Sequence, residues 1–425
     1  MKNFFKNVVL YILRRLTARR LKKFKGKIVC VTGSIGKTST KEAIFCVLNA
    51  RLKVKCSEKS MNTDFGMLLT ILDIDSGYSS ATRWAWLLFR AFFHSFYTDT
   101  SDVLLLEMGV DKPGDMDYLT KIVKPDVAIM TNVAPVHLAE GQFKDTKGIF
   151  DEKSKLISAL KDGGVAILNI DDPFIDALPK KCKKKKVITY AKDSEADFKA
   201  EDISFDENGL RFLIKHEKKV YEVRAPILGE RQAYVLLPAF ICGMLWEIPA
   251  EDVLASLAKF VLPPGRMSVI KGIEDITILD SSYNSSPEAL KEALKVLKHV
   301  AGSRRKVAVL GNMNELGEES KTLHEKIGEV VPGYADVLIT VGASAALIAD
   351  KALELGVKEG HVFKVKSALE AVDLYKKHLK KNDVVLVKGS QNNVRLEKFV
   401  REFMSNPENA NKLLVRQEKL WLKKR

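Results

Sequence analysis

The sequence predicts an α/β protein built from two consecutive sheet domains. Apolar, strand-like runs that end in polar residues or glycine alternate with helix-like stretches along most of the 425 residues. Such runs are typical of a parallel sheet covered by helices. A glycine-rich loop follows the first run, and a Pro-Pro-Gly hinge at 263–265 divides the pattern. We therefore expect a central P-loop-type, mostly parallel sheet with helices on both faces, followed by a Rossmann-like α/β C-terminal domain.

The first segment is predicted to be a basic amphipathic helix. Residues 1–27 carry ten lysines and arginines and no acid. Such a helix suits an anionic membrane surface, and the alternative is a helix that packs on its own domain. The apolar run 8–13 is too short to span a bilayer, and no small-residue cleavage site follows it. The apolar residues near helical spacing are Phe5, Val8, Val9, Ile12, Leu16 and Leu21.

Composition favours a cytosolic protein with reduced thiols. The five cysteines show neither C-x-x-C spacing nor a pairing pattern, which also argues against a zinc ribbon. The net charge of +15 is concentrated at the N-terminus and in the last fifteen residues. Excess basic charge is compatible with nucleic acid. We expect no nucleic acid partner here, because the basic N-terminus is also amphipathic.

The stretch after the first strand is a shortened phosphate-binding loop. The general pattern G-x-x-x-x-G-K-[ST] has a glycine where this sequence has Val31. Gly33 and Gly36 still let main-chain N–H groups approach an anion, and the next helix adds its positive N-terminal end. Lys37 is placed to reach the β/γ-phosphates and the Thr38 hydroxyl to bind Mg²⁺, whereas the alternative is an ordinary βα turn. The predicted nucleotide-binding residues are Gly33, Ser34, Ile35, Gly36, Lys37, Thr38 and Ser39.

Three further strand-like runs, at 102–109, 126–133 and 164–171, end in polar residues. In open α/β sheets, ligands gather at the carboxyl ends of the strands. The functional candidates at these ends are Glu107, Asn132 with nearby His137, Asn169 and Asp171.

An aromatic stretch at 76–100 forms one predicted helix. Such a stripe is more often core or interface, and the alternative is a membrane-facing patch beside the N-terminal helix. The aromatic residues of this stretch from position 84 onward are Trp84, Trp86, Phe89, Phe92, Phe93, Phe96 and Tyr97.

After the hinge a second α/β pattern begins, and it completes a division into four segments. The segments are the basic helix (1–26), a central ATP-binding domain (27–264), a C-terminal Rossmann-like domain (265–405) and a basic tail (406–425).

Ten motifs in order resemble the Mur ligase family, over roughly residues 27–400. The stretches at 280–290 and 310–320 are most similar to the branch of the family that adds D-Ala-D-Ala. The motifs are TGSIGKTSTKE (32–42), NTDFGMLLTIL (62–72), LEMGVDKPGDM (106–116), TNVAPVHL (131–138), DEKSKLI (151–157), LNIDDP (168–173), GRM (265–267), DSSYNSSPEAL (280–290), LGNMNELGEES (310–320) and VKGS (387–390).

The resemblance implies an ATP-dependent amide ligase of peptidoglycan-precursor synthesis. In that reaction ATP phosphorylates a carboxylate to an acyl phosphate, and an incoming amine displaces the phosphate to form an amide. The implied substrates are ATP, D-Ala-D-Ala and a muramoyl-peptide acceptor, and the implied cofactor is Mg²⁺.

The resemblance also implies a catalytic set of Lys37, Lys153, His137 and Glu107. Metal ligands would be Thr38, Glu107, His137 and Lys153, the lysine as a carbamate because a bare ammonium repels Mg²⁺. The alternatives are a polar surface histidine at 137 and a surface lysine at 153.

Five further residues take roles from the resemblance. Asn132, Arg266 and Asp280 would bind the nucleotide, Arg266 and Asp280 from the C-terminal domain when it closes. Tyr283 and Asn284 would shape the substrate-binding floor of the cleft.

The sequence departs from the family pattern in three places, and the first departure leaves the acceptor open. We expect the usual UDP-sugar domain before the loop to be lacking, since about thirty residues precede it. The family's G-x-H-N stretch reads Gly-Glu-Arg-Gln at 229–232, and its Asp-Asp reads Asp280-Ser281. The alternatives are a ligase for another, lipid-linked carboxylate and a non-catalytic nucleotide-binding membrane adaptor. The expected location is the cytoplasm, as a monomer, with peripheral contact at the anionic inner face of the membrane.

Overall fold

The computed structural model describes residues 2–57, 64–75, 81–182, 185–390 and 394–422. It has two sheets, one of nine strands and one of six, each carrying helices. The predicted α/β class with two sheet domains is confirmed. Parts of three quoted stretches lie outside the described residues, namely 62–63, 76–80 and 423–425.

The first sheet runs parallel through its centre and ends in an antiparallel extension. Its order is β2-β3-β1-β4-β5-β6-β7-β8-β9, and β8 runs antiparallel to both of its neighbours, β7 and β9. The central strands are buried almost throughout, as expected for strands covered on both faces. The strands are β1 Lys27–Thr32, β2 Val54–Cys56, β3 Val103–Glu107, β4 Val127–Met130, β5 Val165–Asn169, β6 Lys186–Ala191, β7 Phe198–Asp206, β8 Gly209–His216 and β9 Lys219–Ala225.

Alternate residues of these strands point into two separate cores. Val29 of β1 packs in one core with Ile44 and Leu236, whereas Cys30 packs in the other with Leu119. Successive side chains of a strand point to opposite faces of the sheet, so each of the two cores lies on one face. Both faces of the sheet therefore carry helices, as predicted. The helices of this part are α1 Lys2–Lys23, α2 Lys37–Leu48, α3 Asp64–Leu72, α4 Ala81–His94, α5 Asp115–Ile122, α6 Thr146–Ser158, α7 Leu178–Lys181, α8 Ala233–Leu245 and α9 Ala250–Leu257.

The second sheet has the order β10-β11-β15-β12-β13-β14 and is parallel except for β10. Its strands are β10 Ser268–Lys271, β11 Thr277–Ser281, β12 Lys306–Gly311, β13 Val337–Val341, β14 Val362–Val365 and β15 Val384–Lys388. Its helices are α10 Pro287–Ala301, α11 Ser320–Val330, α12 Ala343–Glu354, α13 Ala368–His378, α14 Glu397–Phe403, α15 Ala410–Leu413 and α16 Lys419–Leu422.

Helix α1 packs on its own domain along one side. Val9, Leu13 and Leu16 are buried in a small core with residues of α3 and α4, including Leu68 and Leu87. The expectation that Val9 and Leu16 face a membrane is therefore wrong, because these side chains already have a protein partner.

Helix α4 has two chemically different sides. Trp84, Leu87 and Ala91 face the small core beneath α1. The core interpretation of the stripe therefore holds for Trp84, whereas the aromatic residues from position 86 onward are exposed. The exposed residues are Trp86, Phe89, Phe92, Phe93, Phe96 and Tyr97.

The end of the described chain folds back onto the second domain. Leu414 and Arg416 are buried, so the segment predicted as a tail is packed at least to this point. Among the helices of the described residues, none combines the length and the apolar character needed to cross a membrane.

Candidate active site

A cleft of about 480 Å³ lies at the carboxyl ends of the first sheet's strands, facing the second domain. This is where ligands are expected in an open α/β sheet. Of the predicted site residues, the cleft is lined by Ser34, Ile35, Gly36, Lys37, Thr38, Ser39, Glu107, Asn132, His137, Asn169, Arg266, Tyr283 and Asn284.

The glycine loop is held against the end of β4. Gly33 has φ of 146°, and a Cβ there would lie 1.9 Å from the Thr131 hydroxyl oxygen. The Asn132 side-chain oxygen accepts a hydrogen bond from Ile35 N at 2.8 Å, and Thr131 Oγ1 donates to Ile35 O at 2.8 Å. Asn132, which was predicted to bind the nucleotide, is thus hydrogen-bonded to the loop that is predicted to bind the phosphates.

Lys37 is the first residue of α2, directly after Gly36. Its Nζ donates to Gly33 O at 2.8 Å and to Ser34 O at 3.2 Å. Burial lowers the pKa of Lys37, the Glu107 carboxylate opposes this shift, and the Arg266 guanidinium adds to it. The cations of both domains therefore converge on one small volume.

Thr38 joins the loop, the sheet and the second domain. Its hydroxyl donates to Glu107 Oε2 at 2.7 Å and accepts from Arg266 Nη2 at 3.0 Å. Glu107 is the last residue of β3 and is buried. Hydroxyl and carboxylate oxygens are ligands that Mg²⁺ prefers, so this pair fits a magnesium site.

Lys153 is fully buried on α6. Its Nζ finds no hydrogen-bond partner among the described residues. Burial lowers its pKa well below the ordinary value, and the Lys37 charge acts in the same direction against Asp111, Glu152 and Glu107. An isolated, buried ammonium is costly, so this amine favours the neutral form. The interpretation of Lys153 as a surface lysine is wrong.

His137 connects the two domains. Its Nδ1 lies 2.7 Å from Glu315 Oε2 and 3.8 Å from Asp111 Oδ1. The nearby His137 imidazole is the main reason that the pKa of Glu315 is lowered, although the angles of this close contact do not meet those of a hydrogen bond. Next to it, Leu138 N donates to Glu315 O at 3.1 Å. The described residues contain no cluster of three or more His, Cys, Asp or Glu side chains arranged to hold a metal.

The floor of the cleft is built by the loop after β11. The Arg266 guanidinium lies 4.1 Å from the centre of the Tyr283 ring, a cation–π contact. Lys388, at the end of β15, donates to Asn284 O at 2.9 Å and lies 3.2 Å from Ser281 Oγ. Burial lowers the pKa of Lys388 to about 8, assisted by the nearby Arg266.

Three predicted candidates support the structure around the cleft and do not project directly into it. Asp280 is fully buried and does not line the cleft, and burial raises its pKa to about 6. Asn169 donates to Thr131 O at 2.8 Å and lines the cleft from behind the loop. Asp171 accepts from backbone N–H groups of 192–194 and from the Tyr234 hydroxyl, which is a structural role.

Among the lining residues that were not predicted site residues are Glu315, Lys388 and Arg231. Glu315 and Lys388 lie within the quoted motifs LGNMNELGEES and VKGS, so the motifs held the signal, although no role was assigned to either. Arg231 stands in the altered Gly-Glu-Arg-Gln stretch and also faces the cleft.

Two family models match consecutive parts of the chain. Residues 31–243 match the Mur ligase middle domain, and residues 265–391 match the Mur ligase, glutamate ligase domain.

Similar curated proteins are named UDP-N-acetylmuramoyl-tripeptide–D-alanyl-D-alanine ligase. The Bacillus subtilis protein is 29% identical over 398 residues, which cover 93% of this chain and 79% of that protein. The Mycobacterium tuberculosis (strain CDC 1551 / Oshkosh) protein is 30% identical over 386 residues, covering 85% of this chain and 70% of the other.

Similar solved structures include the MurF ligase of Thermotoga maritima in complex with ADP. It has a TM-score of 0.77 and 26% identity, covering 94% of this chain and 84% of that one. MurF of Acinetobacter baumannii shares the fold, with a TM-score of 0.76 at 24% identity, over 92% of this chain and 79% of that one.

Proposed function

The chain belongs to the Mur ligase family, and from this we propose that it joins D-Ala-D-Ala to a muramoyl-peptide carboxylate in peptidoglycan-precursor synthesis. It is an ATP-dependent ligase that forms a carbon–nitrogen bond. The observation that carries the proposal is the convergence of Lys37, Thr38 and Glu107 with Arg266 of the second domain in one cleft.

A carboxylate is a poor acyl donor, so ATP must first activate it. This activation brings an anionic carboxylate to anionic phosphates, and the reaction therefore needs fixed positive charge. A carboxylate oxygen attacks the γ-phosphorus of ATP, ADP leaves, and an acyl phosphate forms. The amine of D-Ala-D-Ala then attacks the acyl carbon, phosphate leaves, and the amine loses a proton. Negative charge accumulates in the first step where Lys37 and Arg266 meet, and preorganised cations stabilise that transition state.

Thr38 and Glu107 would hold Mg²⁺, with His137 and a modified Lys153 as the further predicted ligands. When bound, the ion neutralises charge between the phosphates. The Thr38–Glu107 hydrogen bond fixes both oxygens before any ligand arrives. His137 is held by Glu315 across the domain boundary, which sets the direction of its ring.

We propose that Lys153 carries a carbamate. Its neutral amine would add to the carbon of CO₂ and release a proton, giving an anionic group with two oxygens. The buried, unpartnered Nζ and the lowered pKa support this, because only the neutral amine is nucleophilic. Lys153→Ala should be nearly inactive and partly rescued by acetate or formate. Full activity without rescue would refute the carbamate.

The ligase proposal is tested by phosphate release from ATP over a panel of substrates. We expect turnover that needs both UDP-N-acetylmuramoyl-tripeptide and D-Ala-D-Ala, with L-Ala-L-Ala as the control amine. Turnover only with a lipid-linked peptide acceptor would refute the proposed acceptor and favour the alternative ligase. Turnover with neither would refute the proposed reaction.

We also propose that the enzyme is a monomer of the cytoplasm that contacts the inner face of the membrane peripherally. The five cysteines are free thiols, which suits a reducing compartment. Helix α1 is strongly basic and contains no acid, which suits an anionic surface. Light scattering on the purified protein tests the monomer.

A further inference from the structure

We propose that the outer side of α4 is a membrane-binding surface that takes an anionic phospholipid bilayer. This proposal rests on the proposed peripheral contact with the membrane and does not depend on the proposed ligase reaction. The surface, called here the aromatic face, consists of Trp86, Phe89, Phe92 and Phe93 on α4 and of Phe96 and Tyr97 in the turn directly after it.

The aromatic face is exposed although the same helix already has a buried side. Trp84, Leu87 and Ala91 supply the contact with the domain, so the outer rings contribute nothing to that core. Trp86 is 57% exposed, Phe89 is 64% exposed, and the neighbouring rings are similarly open. Large apolar groups left in water in one place mark an interaction site.

The four phenylalanine rings of the aromatic face form one continuous cluster. Ring centres of Phe89 and Phe93 are 4.8 Å apart, and those of Phe92 and Phe96 are 5.0 Å apart, both edge-on. Phe93 also contacts Phe92 edge-on at 5.6 Å. Scattered surface aromatics need no explanation, whereas a packed group of this kind does.

Basic side chains border the aromatic face directly. The Arg19 guanidinium lies 4.6 Å from the centre of the Phe96 ring, and Lys23 Nζ donates to Phe96 O at 3.0 Å. Arg90 lies 4.8 Å from the Trp86 ring. The nearby carboxylates Asp73 and Asp99 are paired with Arg20 and also with Lys55, so they do not neutralise this border.

This combination fits a bilayer surface better than a protein. Aromatic rings favour the interface between headgroups and acyl chains, and cations beside them meet anionic phosphates. A second copy of the chain would bring two basic borders together and repel. A protein partner would have to bury Lys23 beside the Phe96 ring, and lysine is depleted at protein interfaces.

The test uses full-length protein and vesicles of phosphatidylcholine with or without phosphatidylglycerol. We expect co-sedimentation with the anionic vesicles at low salt and little with the neutral ones. Phe89→Ser with Phe92→Ser should weaken binding about tenfold or more, since two apolar rings no longer enter the interface. Arg19→Gln with Lys23→Gln should weaken it about fivefold per charge. Leu369→Ser, at a leucine that is 59% exposed on α13, is the matched control and should not change it.

A second readout identifies the residues that enter the lipid. Brominated lipid should quench the fluorescence of the native protein, and Trp86→Phe should remove most of that quenching. Turnover measured without vesicles should be unchanged in all these variants, because none of the residues lines the cleft. If the ligase proposal fails, the vesicle measurements still decide this one.

Several results would overturn the proposal. Equal binding by the Phe89→Ser, Phe92→Ser variant and the native protein would show that α4 is not the contact. Equal binding to neutral and anionic vesicles would remove the role of charge. A dimer in light scattering that the same variant abolishes would make a second copy the occupant.

Discussion

Lys37 is the residue on which nucleotide chemistry depends most directly. We expect Lys37→Ala to lower ATP turnover by about a hundredfold or more, because the loop loses its cation for the transferring phosphate. The thermal midpoint should not fall, since burial already lowers the pKa of this ammonium and its removal costs little. Lys112→Ala, at an exposed lysine near the same cleft, is the control and should keep full turnover.

Asp280 should make the protein less stable as pH rises, whereas a salt-bridged carboxylate makes a protein more stable as pH rises. Its pKa is raised from 3.8 to about 6, mainly by burial, and one carboxyl oxygen has no hydrogen-bond partner among the described residues. Between these values the folded protein keeps a proton that the unfolded chain has lost. The free energy of unfolding should therefore fall as pH rises from about 4 to about 6.

Asp280→Asn should remove this fall, because the amide stays neutral throughout. Urea unfolding of both proteins across that pH range measures the difference. Identical pH profiles for the native protein and the variant would show that the carboxyl does not titrate as its burial requires.

The residues predicted from the sequence differ from those missed in one physical respect. Lys37, Thr38 and Glu107 lie at a loop and a strand end whose convergence follows from parallel-sheet geometry. Glu315 and Lys388 gain their roles from partners far away in sequence, His137 and Asn284. Spacing along the chain cannot identify such pairs, because the first joins the two domains and the second joins β15 to the loop after β11.

At the scale of elements, the C-terminal segment after α14 holds the floor of the cleft. Arg416 donates to Tyr283 O at 2.6 Å and to Glu397 Oε2 at 3.1 Å. The Arg416 guanidinium and the Glu397 carboxylate are both buried. Tyr283 in turn lies against Arg266, which contacts Thr38. Arg416 is thus a positioning residue for a group that reaches the nucleotide loop.

Arg416→Met should lower the free energy of unfolding by about 1–3 kcal/mol, because Glu397 loses one of its two arginine partners and keeps Arg395. It should also raise the KM for ATP more than it lowers kcat, since Arg266 loses the support of Tyr283. Lys412→Met, in the same segment but exposed, should change neither. A loss of stability with an unchanged KM would mean that Arg416 is structural only.

Helices α1 and α4 show how far periodicity leads. The pattern predicted two helices with apolar stripes, and both exist. It could not decide which stripe meets protein, because the stripe of α1 and the inner side of α4 satisfy each other. The exposed aromatic face is what remains once that contact is made.

At the scale of the whole molecule, the cleft is closed by contacts between the domains. Arg266 reaches Thr38, and Glu315 reaches His137 and Leu138. The hinge before Arg266 includes Gly265, whose φ is 69° and whose Cβ position would lie 3.0 Å from Tyr283 N. A larger residue there would press on the floor of the cleft, so closure depends on this glycine as well as on the contact between Glu315 and His137.

Glu315→Gln should loosen the closed arrangement by removing the charge that faces His137. The pKa of Glu315 is lowered, so this contact is present above its ordinary pKa of 4.5 and is lost as pH falls through the lowered value. At neutral pH we therefore expect the variant to show a larger radius of gyration in small-angle scattering and a raised KM for ATP. Glu318→Gln, at an exposed carboxylate three residues on, is the matched control. Equal scattering from Glu315→Gln and the native protein would mean that Arg266 and the backbone contact at Leu138 hold the domains without the contact between Glu315 and His137.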